Sequence, residues 1–377
     1  MSHLKNASEA IRASRFVLFV FYVVGLVLLW SAQASAHVYE FALPPGFPPP
    51  VAPADNPMSD AKVALGCRLF FEPQLSATGR MSCATCHTPE LAFTDGRARA
   101  VGAHGDALSR NTMTLANVAY SPALTWADEG VVTLEAQAER PLFNEHPAEM
   151  GLKRDARALL ASLSAQPHYV HAFQRAFPDE PISTANLIRA IAAFERTLIS
   201  GRTAFDRYVY DDERDALSAA AKQGMALFYS ERTRCSTCHS GLNFSGPIAH
   251  QDGVKVEALF ANNGLAAQPL ASEQGVKSAT GQRVDRNRFR IPTLRNIELT
   301  APYMHDGRFE TLEEVLAHYV RGGASRTNAD AAIRPLDLTA EEQRALLDFL
   351  RSLTDGEFVT RDWARCALAP NVSAAGG

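Results

Sequence analysis

Apolar residues recur at helical spacing along most of the chain, and strand-like alternation is scarce, so the pattern predicts a mostly α protein. Ser59 is placed to cap a first helix running to about Phe71, with Ala61, Ala64, Leu65, Leu69 and Phe70 on one face. Further amphipathic stretches predict helices over 155–163, 167–177 and a long 184–208, where Leu187, Ile188, Ile191, Phe194, Leu198 and Phe205 share a face. Residues 312–320 and 339–353 read as helices, the second with Thr339 and Glu342 in capping-box spacing. Residues 241–288 are rich in Gly, Asn, Gln and Ser and weakly periodic, which predicts irregular loops.

Part of this pattern occurs twice. A helix ending Gly66-x-x-Leu69-Phe70 precedes Cys83-Ala-Thr-Cys86-His87, and one ending Gly224-x-x-Leu227-Phe228 precedes Cys235-Ser-Thr-Cys238-His239. Phe93-Thr-Asp-Gly96 has its counterpart in Phe244-Ser-Gly246, so two related domains are expected. Two thiols three apart can add to the vinyl groups of one porphyrin while the next residue's imidazole reaches its iron. Each copy thus implies one covalent haem c, carried by Cys83, Cys86 and His87 and by Cys235, Cys238 and His239. A zinc knuckle or a redox dithiol is the competing reading, but zinc would need four ligands converging in one place.

The amino terminus differs from the rest. Lys5, Arg12 and Arg15 precede the unbroken apolar run 16–30 and an Ala34-Ser-Ala36 end, as in an export signal cleaved before His37. An uncleaved anchor is the alternative; after signal removal no membrane span is expected. Residues 37–57 hold seven prolines between Pro44 and Pro57, which predicts an extended segment lying across the surface. The expected division is 1–36 signal, 37–57 proline-rich segment, 58–210 first haem domain and 211–377 second haem domain with carboxyl-terminal helix and tail. Covalent haem and export both point to the periplasm. Cys67 and Cys366 remain, either a disulfide in that oxidising compartment or two unrelated small residues. A net charge of -4 on 377 residues gives no sign of a nucleic-acid partner.

Arg290-Ile-Pro-Thr-Leu-Arg-Asn and the residues following to Tyr319 closely resemble the segment after the second haem of bacterial di-haem cytochrome c peroxidases and MauG-type enzymes. The resemblance runs from Asn56 to about Leu353 and includes both haem motifs, Arg110-Asn111, Thr125-Trp126 and Pro147-Ala-Glu149-Met-Gly151. Within that superfamily, segments 39–48, 91–97, 115–120 and 141–151 look most like the MbnH branch.

The resemblance implies two cytochrome c-like domains in the di-haem peroxidase arrangement. Tyr319 occupies the position of the peroxidases' distal Met at the second haem, as in MauG, with Met304 as the alternative ligand. Trp126 matches a tryptophan between the haems, and Glu149 the distal carboxylate of the first. His104 stands in the loop that closes the first haem in many resting peroxidases; the usual ligand position aligns with Ala103, which implies an open haem. His146 is a further distal candidate. Asn111, Thr300 and Pro302 match the residues around a calcium ion between the domains. The surface tryptophan through which MauG oxidises its partner is replaced by Thr233, which leaves Trp363, Tyr229 or another aromatic as the route out.

The function so implied is peroxide-driven formation of a high-valent, bis-Fe(IV)-like state that oxidises an amino acid of a partner. For the MbnH branch that is tryptophan to kynurenine on a small MbnP-like protein in copper homeostasis. The alternatives are a cytochrome c peroxidase fed by a small electron-donor protein, and a di-haem electron carrier without catalysis.

Overall fold

The computed structural model describes residues 39–145, 147–153, 156–265 and 273–365. The described residues from Phe41 onward group as one compact unit. Helices follow in the order α1 Asp60–Phe70, α2 Cys83–Cys86, α3 Leu134–Phe143, α4 Arg157–Ser164, α5 Pro167–Ala176, α6 Thr184–Glu195 and α7 Ala204–Tyr210. Then come α8 Ala219–Phe228, α9 Cys235–Cys238, α10 Lys277–Thr280, α11 Leu312–Val320, α12 Ala340–Arg351 and α13 Gly356–Thr360. The fold is mostly α: among the described residues the sheet is one short antiparallel pair, β1 Phe260–Ala261 and β2 Phe289–Arg290, with Phe260 opposite Arg290.

Local chemistry explains where the helices start. Ser59, Ser218 and Thr339 each accept a hydrogen bond from the backbone N–H three residues on, and Glu342 completes a capping box with Thr339. The helix expected over 184–208 is broken: α6 stops at Glu195, and α7 begins after a new cap, Thr203, boxed with Asp206. In the gap, Ser200 Oγ, Gly201 N and Arg202 N donate to one oxygen of Asp355 at 3.1, 2.9 and 3.0 Å. A carboxylate from the far end of the chain has taken over donors that a continuous helix would have kept.

The duplication is visible in the packing. α1 lies against α6, and α8 against α12. A Cβ on Gly66 would come within 1.8 Å of the Ala190 carbonyl oxygen, and one on Gly224 within 1.9 Å of that of Ala345; Phe194 and Phe349 stand next to them. The obstacle in both copies is backbone, which cannot swing aside. Gly66→Ala and Gly224→Ala should therefore each destabilise by about 1–3 kcal/mol, read as a lower urea midpoint at unchanged slope. Further on, Asn117 and Asn296 take φ of 58° and 59° and each begins a 3₁₀ turn. Both are buried and converge on Ser200: Asn117 Nδ2 donates to its carbonyl (2.8 Å), Asn296 Nδ2 to its hydroxyl (3.0 Å).

Two hydrophobic cores result. One gathers Leu65, Phe70, Phe93, Phe173 and Phe194, and also Phe358 and Trp363 from the carboxyl-terminal segment. The other holds Phe205, Phe228, Phe244, Leu346 and Phe349. The proline-rich segment is pinned rather than loose: Phe47 is buried with Tyr120 and Ile199, and the Tyr120 hydroxyl donates to Pro48 O at 2.7 Å. Cys67 is disulfide-bonded; Cys366, the partner suggested by the sequence, lies outside the described residues, as does the apolar run 16–30. Among the described residues no helix is long and apolar enough to cross a membrane.

Candidate functional site

Each CxxCH motif forms one short helical turn that hands its histidine to a fixed acceptor. His87 Nδ1 lies 2.9 Å from Phe93 O, and His239 Nδ1 lies 2.7 Å from Phe244 O. A carbonyl can only accept, so the proton sits on Nδ1 and the Nε2 lone pair is left for a metal. Phe93 and Phe244 hold φ of 62° and 51°, the left-handed conformation that turns these carbonyls back toward the imidazoles. Burial lowers the pKa of both histidines and keeps them neutral.

Cys83 and Cys86 border a cavity of about 340 Å³ with His87, and Cys235 and Cys238 one of about 210 Å³ with His239. Among the described residues no three His, Cys, Asp or Glu side chains converge as a bare metal ion would require. All four thiols are free, and burial pushes Cys86 and Cys238 up to about 11, away from thiolate. Cavities walled by apolar residues, each with two thiols and an oriented imidazole at one edge, suit a covalently held porphyrin. Trp126 and Arg290 line both cavities.

Glu149 lines the first cavity, and burial raises its carboxyl pKa. Its position is set by backbone: Ala103 N donates to Glu149 O at 2.7 Å, and Met150 N to Pro141 O at 2.8 Å. A Cβ on Gly102 would meet Ala148 O at 1.9 Å, so that loop must have glycine there. His104 is exposed and lies outside the cavity lining; His146 lies outside the described residues. Gln137 and Glu195 are among the lining residues that were not anticipated. Gln137 comes from α3, a helix the apolar pattern did not reveal because Pro141 and four charged or amide side chains dilute it. Glu195 is buried with Oε2 lacking an acceptor or donor, and burial lifts its carboxyl to about 8.

Tyr319 and Met304 both line the second cavity, and Asn263 Nδ2 reaches each, 3.5 Å from the phenol oxygen and 3.3 Å from the thioether sulfur. Burial pushes the Tyr319 phenol up to about 12, so a ferric ion would have to draw off its proton to gain it as a ligand. Trp126 Nε1 donates to Asn111 O at 2.9 Å, and its ring meets His305 edge-on at 6.5 Å. His305 in turn stacks on Phe289 at 3.6 Å. Asn111 N donates to His305 O at 2.8 Å, which sets Asn111 against the loop carrying Thr300 and Pro302. Thr233 is buried with its hydroxyl donating to Leu227 O, Trp363 is core, and Tyr229 is 47% exposed.

Comparison with known proteins places this geometry. A family model described as di-haem cytochrome c peroxidase matches residues 60–214. Methylamine utilization protein MauG of Methylorubrum extorquens is 39% identical over 314 residues, which is 83% of each chain. The chain belongs to the di-haem cytochrome c peroxidase and MauG family. Cytochrome-c peroxidase IdrP1 of Denitromonas iodatirespirans is 35% identical over 357 residues, covering 87% of this chain and 91% of the relative. Among solved structures, a MauG-like protein associated with microbial copper homeostasis aligns with TM-score 0.82 and 38% identity over 86% of this chain and 98% of its own.

A member of the di-haem peroxidase family is a haem-dependent oxidoreductase with two haem c groups and hydrogen peroxide as its substrate. The residues present fit that pair of cofactors. Beyond the two CxxCH turns, Arg290 has a buried Nε with no acceptor beside both cavities, as expected where an anionic group belongs.

Proposed function

We propose that this member of the family is a periplasmic enzyme that takes oxidising equivalents from hydrogen peroxide at the first haem site and spends them on an amino acid of a partner protein. The target is a tryptophan of a small MbnP-like protein, converted toward kynurenine in copper homeostasis. The observation that carries this reading is the 38% identity, at TM-score 0.82, to a MauG-like protein associated with microbial copper homeostasis.

Side-chain chemistry supports it. The haems supply the iron that exchanges electrons with peroxide. Glu149, on the first cavity, is suited to carry the proton from the inner to the outer peroxide oxygen. Gln137, on the same cavity, can hold an oxygen by hydrogen bond without changing charge. Tyr319 as phenolate would be a hard, anionic ligand that disfavours the ferrous state of the second site. Trp126, which borders both cavities, is the indole through which charge would pass between them. Asn111, Thr300 and Pro302 would offer calcium oxygen ligands only. Conversion of one tryptophan to N-formylkynurenine consumes two peroxides and releases two waters, and hydrolysis then releases formate.

The test is electron paramagnetic resonance of the ferric protein before and after stoichiometric peroxide, followed by mass spectrometry of the partner. One high-spin and one low-spin signal, both lost without prior reduction, together with a kynurenine in the partner, are the expected result. A protein that reacts only after reduction, and then turns over with a small donor, is a cytochrome c peroxidase. Two low-spin haems indifferent to peroxide make it an electron carrier. Either outcome overturns the reading.

A further inference from the structure

The two buried arginines among the described residues each come with a carboxylate; Arg290, half-buried beside the cavities, differs. Arg295 is held by Asp206 through two bonds of 2.8 and 2.9 Å, and Arg196 by Glu135 through two of 2.8 Å. Arg290 has none among the described residues. Its Nη1 donates to Ser121 Oγ at 3.1 Å, its Nη2 lies 3.5 Å from Met113 Sδ, and its buried Nε has no acceptor. A guanidinium carries five N–H donors, and a thioether is a weak acceptor. Desolvation alone draws its pKa down, to about 10, with no neighbouring anion acting against it. A guanidinium half withdrawn from water in this way, with its Nε fully buried, is unfavourable unless something negative joins it.

Its surroundings say what that is. Arg290 borders both haem cavities, and its backbone N–H donates to Trp126 O at 2.8 Å, so it is fastened to the other residue common to both. Each haem brings two propionate carboxylates, the natural partners of a planar guanidinium fork.

We propose that Arg290 is a counter-charge shared by the two haems, binding a propionate of each at the junction and so setting both iron potentials together. A fixed cation beside an iron couple favours the reduced state, which carries one positive charge fewer, and a cation at the junction acts on both couples. This is a positioning and tuning role for Arg290. It rests on the presence of two haems and not on the choice of peroxide or tryptophan as substrate.

Arg290→Gln removes the charge at similar length. With two haem c per chain verified by pyridine haemochrome, spectroelectrochemistry should show both midpoint potentials lowered, and Arg290→Lys should return both toward wild type. A fall in one couple only, or in neither, overturns the shared role. Should the Gln variant not mature, Arg290→Lys is read by redox-induced infrared difference spectra. An ammonium in place of a fork should shift carboxylate bands that respond to reduction of each haem. Bands tied to a single haem, or unshifted bands, overturn the proposal equally.

Discussion

Glu149→Gln slows the reaction of the ferric protein with hydrogen peroxide by about 10²- to 10⁴-fold, with both haems still attached. The substitution keeps the shape and a hydrogen-bonding end but abolishes proton transfer. Burial raises the Glu149 pKa above the ordinary carboxylate range, which makes the group a better proton acceptor toward bound peroxide. The carboxylate is the accepting form, so the wild-type rate should fall as pH drops below the raised pKa, and the variant should lose that dependence. Stopped-flow mixing of the ferric protein with peroxide across pH measures both effects. A slowing of less than about tenfold would mean that another group moves the proton.

Asp206→Ala should be the most damaging single change to the fold. Arg295 is fully buried, forks onto Asp206 and donates through Nε to Leu242 O at 2.8 Å. The guanidinium also lies over the rings of Phe47 and Phe244, the latter the residue whose carbonyl holds His239. Removing the carboxylate strands a buried cation, a loss of about 3–5 kcal/mol. It also removes the acceptor for Thr203 N and Oγ, which caps α7. Replacing both members, Asp206→Leu with Arg295→Met, should cost less than the two single losses summed, because neither charge is then left alone. Urea melts of the four proteins close the cycle. Additive losses would mean that the pair is not coupled.

What could be read from the sequence was local. The haem turns are five-residue patterns, and the caps Ser59, Ser218 and Thr339 announce their helices within four residues. The doubled Gly-x-x-Leu-Phe signalled a doubled helix, though only the fold explains the glycine: a neighbouring carbonyl lies where a Cβ would be. Other features escaped because their causes lie far along the chain. Leu198 and Phe205 continue the apolar period of α6, yet Asp355 claims the intervening N–H groups and the helix stops. Trp126 was expected between the haems from the family resemblance alone, and nothing near Arg290 in sequence says that it too borders both cavities. His104, which the resemblance places in the loop that closes the first haem in many resting peroxidases, is exposed and off the cavity lining.

Phe358 and Trp363 complete the amino-terminal core, and Cys67 Sγ lies 3.4 Å from Trp363 O. Biogenesis is constrained by this crossing. The leading core cannot close until the carboxyl-terminal segment is in place, so the first thiol pair stays accessible until the chain is nearly complete. Truncation before Phe358 should therefore weaken the amino-terminal core while leaving its thiol pair open, read as a lower urea midpoint with haem c content retained.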